Sequence, residues 1–180
     1  EPVSKIAQNY VTGDVKTPQE AIKGAQDIIA EIISDNSGFR KKIRQNTFYN
    51  GLIETKAKNK DESASGYEIY FNYSEKLSKI PPHRILAINR AENEGIIRGK
   101  VDIEEDDIIQ YLKRHTLKNC SKVPEMIEHN PYTTPIITEA IKDSYKRLIS
   151  PAIEREIRSY LTKKAEEKSI EVFAKNLSQL

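Results

Sequence analysis

The sequence predicts a mainly α, multihelical, elongated protein that ends in a long helix and contains one small β ribbon. Apolar residues recur at helical spacing through most of the chain, and they do so almost without a break over residues 136–180. The spacing changes to an alternating one at residues 96–103, which is typical of a half-buried strand. A second short strand is expected at about 52–57, and it pairs with 96–103 in the predicted ribbon.

Two regions are predicted along the chain. Residues 1–135 form a helical domain with the ribbon, and residues 136–180 form a long spine helix with a kink near Pro151, where Ser150 caps the restarted helix. Charged residues on the outer face of this helix are expected to form ion pairs three or four positions apart. The periodicity fits two roles of this helix equally well, a strut between domains and a member of a compact bundle. The chain starts without Met and stops within a helical pattern, so we expect a fragment that continues into a following domain.

Composition narrows the class of protein. Charged residues make up 31% and hydrophobic residues 37% of the chain, as in helix-rich globular proteins. No apolar run approaches the roughly 20 residues that a membrane-spanning helix needs, so no membrane contact is predicted. One cysteine, Cys120, cannot form an internal disulfide, which favours the cytoplasm. The formal net charge of +2 is too small to indicate nucleic-acid binding by itself.

Helix starts are the clearest local signals. Thr17, Pro18 and Glu20 have the spacing of a capping box, in which a hydroxyl and a carboxylate bind the unpaired amides of a first turn. A second helix is expected to begin at Asn36 or Ser37 and to run to about residue 49.

The segment 67–103 is expected to fold as an aromatic loop, a helix and a strand. Proline is tolerated in a first turn, so the helix should begin near Pro82, and Gly95 is a natural left-handed stop. Exposed aromatic side chains beside arginine are typical of interface anchors. For His83 and Arg84 we favour a structural role, in which they brace the aromatic loop against an acid such as Glu75 or Glu94, because an arginine near carboxylates usually pairs with them. The candidates for an interaction surface are Tyr70, Phe71, His83 and Arg84.

Two groups of cations are candidates for nucleic-acid contacts, because clustered cations gain from counterion release when they meet phosphates. The first follows one face of the second helix, and a solvated helix face is the favoured alternative there. The candidates are Arg40, Lys41, Lys42 and Arg44, followed by Lys113, Arg114 and Lys118.

Neither a metal site nor a catalytic centre is predicted. The acidic run 102–107 lacks the spacing of a calcium loop, and Asp102 with Glu105 fits a helix cap better. His115, Cys120 and His129 are single residues without the paired spacing of a zinc site. No glycine-rich phosphate loop or nucleophile elbow is present, so no cofactor and no enzymatic activity are expected.

Three ordered motifs resemble one family. The stretch YEIYFNYSEKLSKIPPHRILAINRAENEGIIRGKV is similar to a pattern with "YFDYSE", "KIPSHR" and "NEG", and DSYKRLISPAIEREIRSYLTKKAEEKSIEVFAKNL is similar to "DAWKRLLLPSIERE" with its following helix. AIKGAQDIIAEIISDNSGFRKKIR extends the likeness upstream. These motifs resemble Tex, the bacterial transcription accessory proteins. Pro82 stands where the family usually has Ser, and Tyr145 stands where it has Trp.

The resemblance implies the helical region of a much longer protein that also carries a nuclease-like domain, helix-hairpin-helix units and an S1 domain. It implies a helical scaffold that assists nucleic-acid binding and transcription regulation, with weak RNA or DNA binding by this region alone and no established catalysis. The alternative is a protein-interaction module that docks on the transcription machinery without touching nucleic acid.

Overall fold

The computed structural model describes residues 2–58, 66–119 and 130–178, and most of them are helical. Short 3-10 turns lie at Gln8–Tyr10 and Glu68–Tyr70, and a π-helical turn lies at Ser144–Ile149. The predicted fold class, mainly α with a long last helix and a small sheet, is confirmed. The helices are α1 (Val3–Ala7), α2 (Pro18–Asp35), α3 (Ser37–Asn50), α4 (Pro82–Asn93), α5 (Glu105–Asn119), α6 (Thr134–Asp143) and α7 (Ser150–Leu177), and the strands are β1 (Leu52–Ala57), β2 (Asn72–Lys76) and β3 (Ile97–Asp102).

The described residues fall into two compact units, each built from two separate stretches of chain. The first unit contains the residues up to Ile43 and those from Glu105 to Ala152. The second contains the residues from Arg44 to Glu104 and those from Ile153 onward. The predicted organisation into a 1–135 domain and a 136–180 spine concerns consecutive regions and stays a prediction.

The first unit is helical, and α2 packs against α6 and the π-helical turn. Its apolar positions follow the helical period, which brings Ala30, Ile33, Leu112 and Ile141 into the core, where each is at most 3% exposed. Ser144 is fully buried there and satisfies its hydroxyl by donating to the Ala30 carbonyl oxygen at 2.7 Å.

The predicted starts of α2 and α3 are confirmed. The Thr17 hydroxyl accepts a hydrogen bond from the Glu20 amide at 3.2 Å, and the Glu20 carboxylate accepts from the Lys16 amide at 2.6 Å. Asn36 caps α3, because its side-chain oxygen accepts from the Phe39 amide at 3.0 Å. Local side-chain bonds therefore set both helix starts.

The second unit is built around an antiparallel sheet with the strand order β2-β1-β3. The predicted ribbon is confirmed: β1 and β3 pair with Ile53 opposite Val101. The expectation of a loop is wrong for the end of the aromatic segment, because Tyr73 lies in β2, which pairs with the other edge of β1 and places Glu75 opposite Ile53. Backbone pairing creates this strand, since its side chains alternate only between exposed and half-buried positions.

Glycines end two helices for different physical reasons. Gly95 follows α4 with a φ of +78°, the left-handed conformation that was expected there. Gly51 follows α3, and a Cβ at this position would lie 2.5 Å from the Thr47 carbonyl oxygen. Only glycine therefore allows α3 to pass directly into β1.

Two predicted caps are wrong. Asp102 is the last residue of β3, and α5 begins only at Glu105, so Asp102 lies too early to cap it; the expected acids do fill the first turn. Ser150 has helical angles, φ −58° and ψ −48°, and continues the helix instead of capping it. The π-helical turn widens the backbone just before Pro151, whose missing amide and bulky ring do not suit an ordinary turn.

The long helix α7 is apolar on one face over its first half. Ile153, Ile157, Leu161 and Ala165 are buried at steps of four residues. All described residues after Ala165 are exposed. None of the helices in the described part of the chain has the length and apolar character to cross a membrane.

Candidate nucleic-acid interface

A cleft of about 800 Å³ opens in the second unit between the C-terminal part of α3 and the first half of α7. Helical spacing places the lining residues of each helix on one face: Arg44 and Phe48 lie four residues apart on α3, and Glu156 and Tyr160 lie four residues apart on α7. The described lining residues are Arg44, Gln45, Phe48, Tyr49, Arg155, Glu156, Ile157, Ser159, Tyr160 and Lys163.

Three aromatic rings line the cleft, those of Phe48 and Tyr49 from α3 and that of Tyr160 from α7. Phe48 packs edge-to-face against Tyr49 with the ring centroids 5.2 Å apart, and against Tyr160 at 5.9 Å. Tyr49 and Tyr160 are nevertheless 63% and 51% exposed. The Lys164 ammonium lies 5.6 Å from the Tyr160 ring centroid. Both tyrosine rings thus pack on Phe48, while about half or more of each tyrosine stays accessible to solvent.

The charge of the cleft is positive. Among its described lining residues are three cations, Arg44, Arg155 and Lys163, and one carboxylate, that of Glu156. Arg44 and Glu156 form an ion pair with a distance of 3.0 Å between Nη1 and Oε2. Arg155 and Lys163 are exposed. Cations beside open aromatic rings are the chemistry with which proteins hold phosphates and bases together.

Of the predicted nucleic-acid contacts, Arg44 lies in this cleft. The other members of its cluster belong to the first unit, where Arg40 is half-buried and Lys41 and Lys42 are exposed. The second group lies on α5, with Lys113 half-buried and Arg114 exposed, and the side chain of Lys118 falls outside the described residues. Nucleic-acid contact by these seven residues stays a prediction.

The sequence did not reveal the other half of the cleft. Arg44 and Glu156 are 112 positions apart, and no local pattern indicates that α3 and α7 meet. Tyr160 and Lys163 lie three positions apart, which was a usable signal for a shared helix face, but Tyr160 was assigned to the apolar stripe of the spine helix and Lys163 to its charged outer face.

The predicted interaction surface is only partly exposed. Tyr70 is 4% exposed, and its ring packs edge-to-face on Tyr73 at a centroid distance of 5.3 Å. This burial counts against Tyr70 as an interface anchor. Phe71 is half-buried and His83 is exposed.

Arg84 braces the segment, as the favoured interpretation predicted. Its guanidinium donates to the Glu75 carboxylate at 2.9 Å and to the Tyr73 hydroxyl at 3.0 Å, and it lies 5.6 Å from the Tyr73 ring centroid. Burial, together with the hydrogen bond to the Glu75 carboxylate, raises the pKa of Tyr73 to about 12. Glu94 instead accepts a hydrogen bond from the Tyr67 hydroxyl at 3.1 Å.

Several charges of α7 do not form the outer-face pairs that were expected. Glu154 accepts from the Val101 amide at 3.0 Å, and Arg158 donates to the Glu92 carboxylate, which in turn accepts from the Gly99 amide at 2.8 Å. These carboxylates cover the outer edge of β3, whose amides would otherwise lack strand partners. The predicted pairing three or four positions apart is therefore wrong for these residues, although Lys168 and Glu171 do pair within α7.

Histidine and acidic residues are not assembled into a metal site in the part of the chain that the structure describes. His115 packs against Tyr111 with the ring centroids 4.3 Å apart, and its Nδ1 lies 2.8 Å from the Tyr111 carbonyl oxygen. Cys120 and His129 lie outside the described residues.

Comparison with known proteins decides the family. The model of the Tex central region-like family matches residues 2–173. This chain belongs to that family. Almost the whole of this Tex central region aligns with one part of a longer relative. It is 44% identical, over 99% of its residues, to the uncharacterized protein YdcI of Bacillus subtilis and covers 24% of that protein.

Two further relatives carry informative names. The human S1 RNA-binding domain-containing protein 1 is 31% identical over 96% of this Tex central region, which covers 18% of that protein. Protein tex of Bordetella pertussis is 27% identical over 97% of the chain, which covers 23% of it. The chain therefore spans about a quarter or less of the curated relatives to which it is similar.

Proposed function

We propose that this Tex central region serves a transcription accessory protein and assists it in binding nucleic acid through the cleft between α3 and α7. The observation that carries the proposal is the combination of three cations with the open rings of Tyr49 and Tyr160 in one cleft. The names of relatives support it: one in Neisseria gonorrhoeae is a transcriptional accessory protein Tex, and the human relative is named for an S1 RNA-binding domain. A cytoplasmic location accompanies this role.

The physical basis is separate recognition of phosphates and bases. Arg44, Arg155 and Lys163 bind backbone phosphates and release the counterions that surround them. Tyr49 and Tyr160 stack on unpaired bases, an interaction that tolerates any sequence because every base has an aromatic face. Few cations take part, so this region binds weakly alone and adds to the affinity of the longer protein. Its role is binding, without a catalytic step.

A salt titration of the 180-residue chain tests the proposal. Binding of a fluorescein-labelled single-stranded oligonucleotide is measured by anisotropy for the wild type, for an R155Q/K163Q variant and for a K76Q/K79Q control, whose lysines are exposed in the same unit and lie outside the cleft. R155Q/K163Q should reduce the affinity about tenfold at low salt, and the slope of log K against log salt should fall by about 1.4 because two phosphate contacts are lost. Equal losses in the control and the cleft variant would rule out the cleft.

The alternative, a protein-interaction module that uses the segment 67–98, has weaker support. Its main anchor, Tyr70, is buried, and Arg84 is engaged by Glu75 and Tyr73. A pull-down with an F71A variant, compared with H83A, tests what remains of it. Loss of a transcription-machinery partner in F71A, with an unchanged thermal melting curve, would favour this alternative over the cleft.

A further inference from the structure

We infer that Glu156 is an internal competitor for the phosphate site at Arg44. The inference rests on the proposed function of the cleft and concerns how that cleft selects its ligand. In the unliganded chain the carboxylate of Glu156 takes the place that a phosphate takes in the complex. Nucleic acid must displace it, and the cleft is thereby reserved for polyanions.

The geometry places the carboxylate in competition with an incoming phosphate. Arg44 Nη1 and Glu156 Oε2 are 3.0 Å apart, and both side chains line the cleft. The residues beside them in the chain, Ile43 and Ile157, are 2% exposed and fix the backbone of each helix. The side chains of the pair are 50% and 37% exposed, so solvent and ligand reach them.

A pair with this exposure is weak and exchangeable. Water and salt screen it, and both long side chains lose freedom when they meet. Arg44 donates one hydrogen bond to the Glu156 carboxylate, and a phosphate oxygen accepts from a guanidinium in the same way, so the exchange keeps this bond. A single phosphate gains little from this exchange, whereas a chain of phosphates also gains from Arg155 and Lys163.

The exchange has a signature in the salt dependence. After displacement, Glu156 stands beside a phosphate chain and takes up a cation from solution, which cancels part of the counterion release at Arg44. Neutral glutamine at position 156 removes this uptake. The Glu156→Gln variant should therefore bind a single-stranded oligonucleotide about three- to tenfold more tightly at low salt, with a slope of log K against log salt that is steeper by about 0.7.

The experiment is a double-mutant cycle on the 180-residue chain. The affinity for the labelled oligonucleotide is measured at several salt concentrations for the wild type, Glu156→Gln, Arg44→Gln and the double variant, with Glu166→Gln as the control. Glu166 is an exposed acid of the same helix that does not line the cleft, so its neutralisation reports the general effect of one lost charge. A second arm measures the direct binding of inorganic phosphate, the probe for single anions, to the wild type and to Glu156→Gln by isothermal titration calorimetry.

The expected results are a gain for Glu156→Gln well beyond that of Glu166→Gln, no such gain in the Arg44→Gln background, and tighter direct binding of inorganic phosphate by Glu156→Gln than by the wild type. If Arg44→Gln weakens binding but Glu156→Gln matches Glu166→Gln, the competition is overturned while the cleft stands. If Arg44→Gln binds like the wild type, the proposed phosphate site at Arg44 fails as well. Should Glu156→Gln melt at a lower temperature by circular dichroism, Glu156→Asp, which withdraws the carboxylate by one methylene, gives the same comparison with a smaller expected gain.

Discussion

Arg158 of α7 donates to the carboxylate of Glu92 on α4, and the same carboxylate accepts a hydrogen bond from the Gly99 amide of β3 at 2.8 Å. Both side chains are largely buried, with 21% and 22% exposed. One carboxylate thus ties three elements of the second unit together. Because α7 also forms a wall of the cleft, this junction positions Tyr160 and Lys163 for any ligand.

Removal of the cation from this junction should destabilise the chain. Arg158→Gln leaves the Glu92 carboxylate partly buried without its charged partner, so the free energy of unfolding should fall by about 2 kcal/mol. Urea denaturation followed by circular dichroism measures it. Arg155→Gln is the matched control, because this exposed arginine of the same helix should cost about 0.5 kcal/mol or less. Equal losses for the two variants would mean that the junction does not stabilise the fold.

The Glu92 and Arg158 side chains leave little room for a side chain at position 99. A Cβ there would lie 3.0 Å from Oε1 of Glu92 and 3.4 Å from Nη1 of Arg158. Gly99→Ala should therefore push the carboxylate away and lower the melting temperature, with a loss of about 1–2 kcal/mol. Gly24→Ala is the opposite case, because nothing lies within 4 Å of the added methyl group in α2. It should stabilise by about 0.5–1 kcal/mol, and a destabilised Gly24→Ala variant would contradict this.

The raised pKa of Tyr73 predicts a specific response to alkaline pH. Tyrosine titrates at 10.0 without such surroundings, and in the folded chain its pKa rises to about 12. Between these values the folded state binds the proton more tightly than the unfolded state. The stabilisation is therefore complete below pH 10 and is lost as the pH rises towards 12.

The measurement compares the wild type with Tyr73→Phe, which has no titrating hydroxyl. The difference between their free energies of unfolding should shrink or reverse as the pH rises through this window. A difference that stays constant with pH would show that the hydroxyl is not protected by burial and by Glu75.

The start of α3 provides a test of capping. Asn36 accepts the Phe39 amide at 3.0 Å, whereas Ser37 is already the first residue of the helix. Asn36→Ala should cost about 1 kcal/mol of stability, and Ser37→Ala should have little effect. Thermal melts of both variants measure these losses. A larger loss of stability for Ser37→Ala than for Asn36→Ala would show that Asn36 is not the cap.

Features that depend on neighbouring residues were predictable from the sequence. The starts of α2 and α3 follow from side chains that bind amides within the same turn, and the ribbon of β1 and β3 follows from alternation in each strand. Gly95 ends α4 for an equally local reason, its positive φ. Each of these signals lies within a few residues of the structure that it predicts.

Features that depend on distant partners were not predictable in this way. Strand β2 carries no apolar alternation, and only its pairing with β1 makes it a strand. The charges of Glu154, Glu156 and Arg158 looked like a solvated face, because their partners lie more than 50 positions away in the chain. The cleft forms through contacts between residues that are distant in the chain. Of its lining residues, the sequence therefore predicted only Arg44 as a nucleic-acid contact.

Ultraviolet cross-linking tests most directly whether nucleic acid lies in the cleft of the second unit. A single-stranded oligonucleotide that contains 4-thiouridine is irradiated with the 180-residue chain at low salt, and the cross-linked peptides are identified by mass spectrometry. The cross-links should fall on Tyr49 and Tyr160 and should disappear at higher salt. Cross-links confined to the first unit, around Lys41 and Arg114, would contradict the claim.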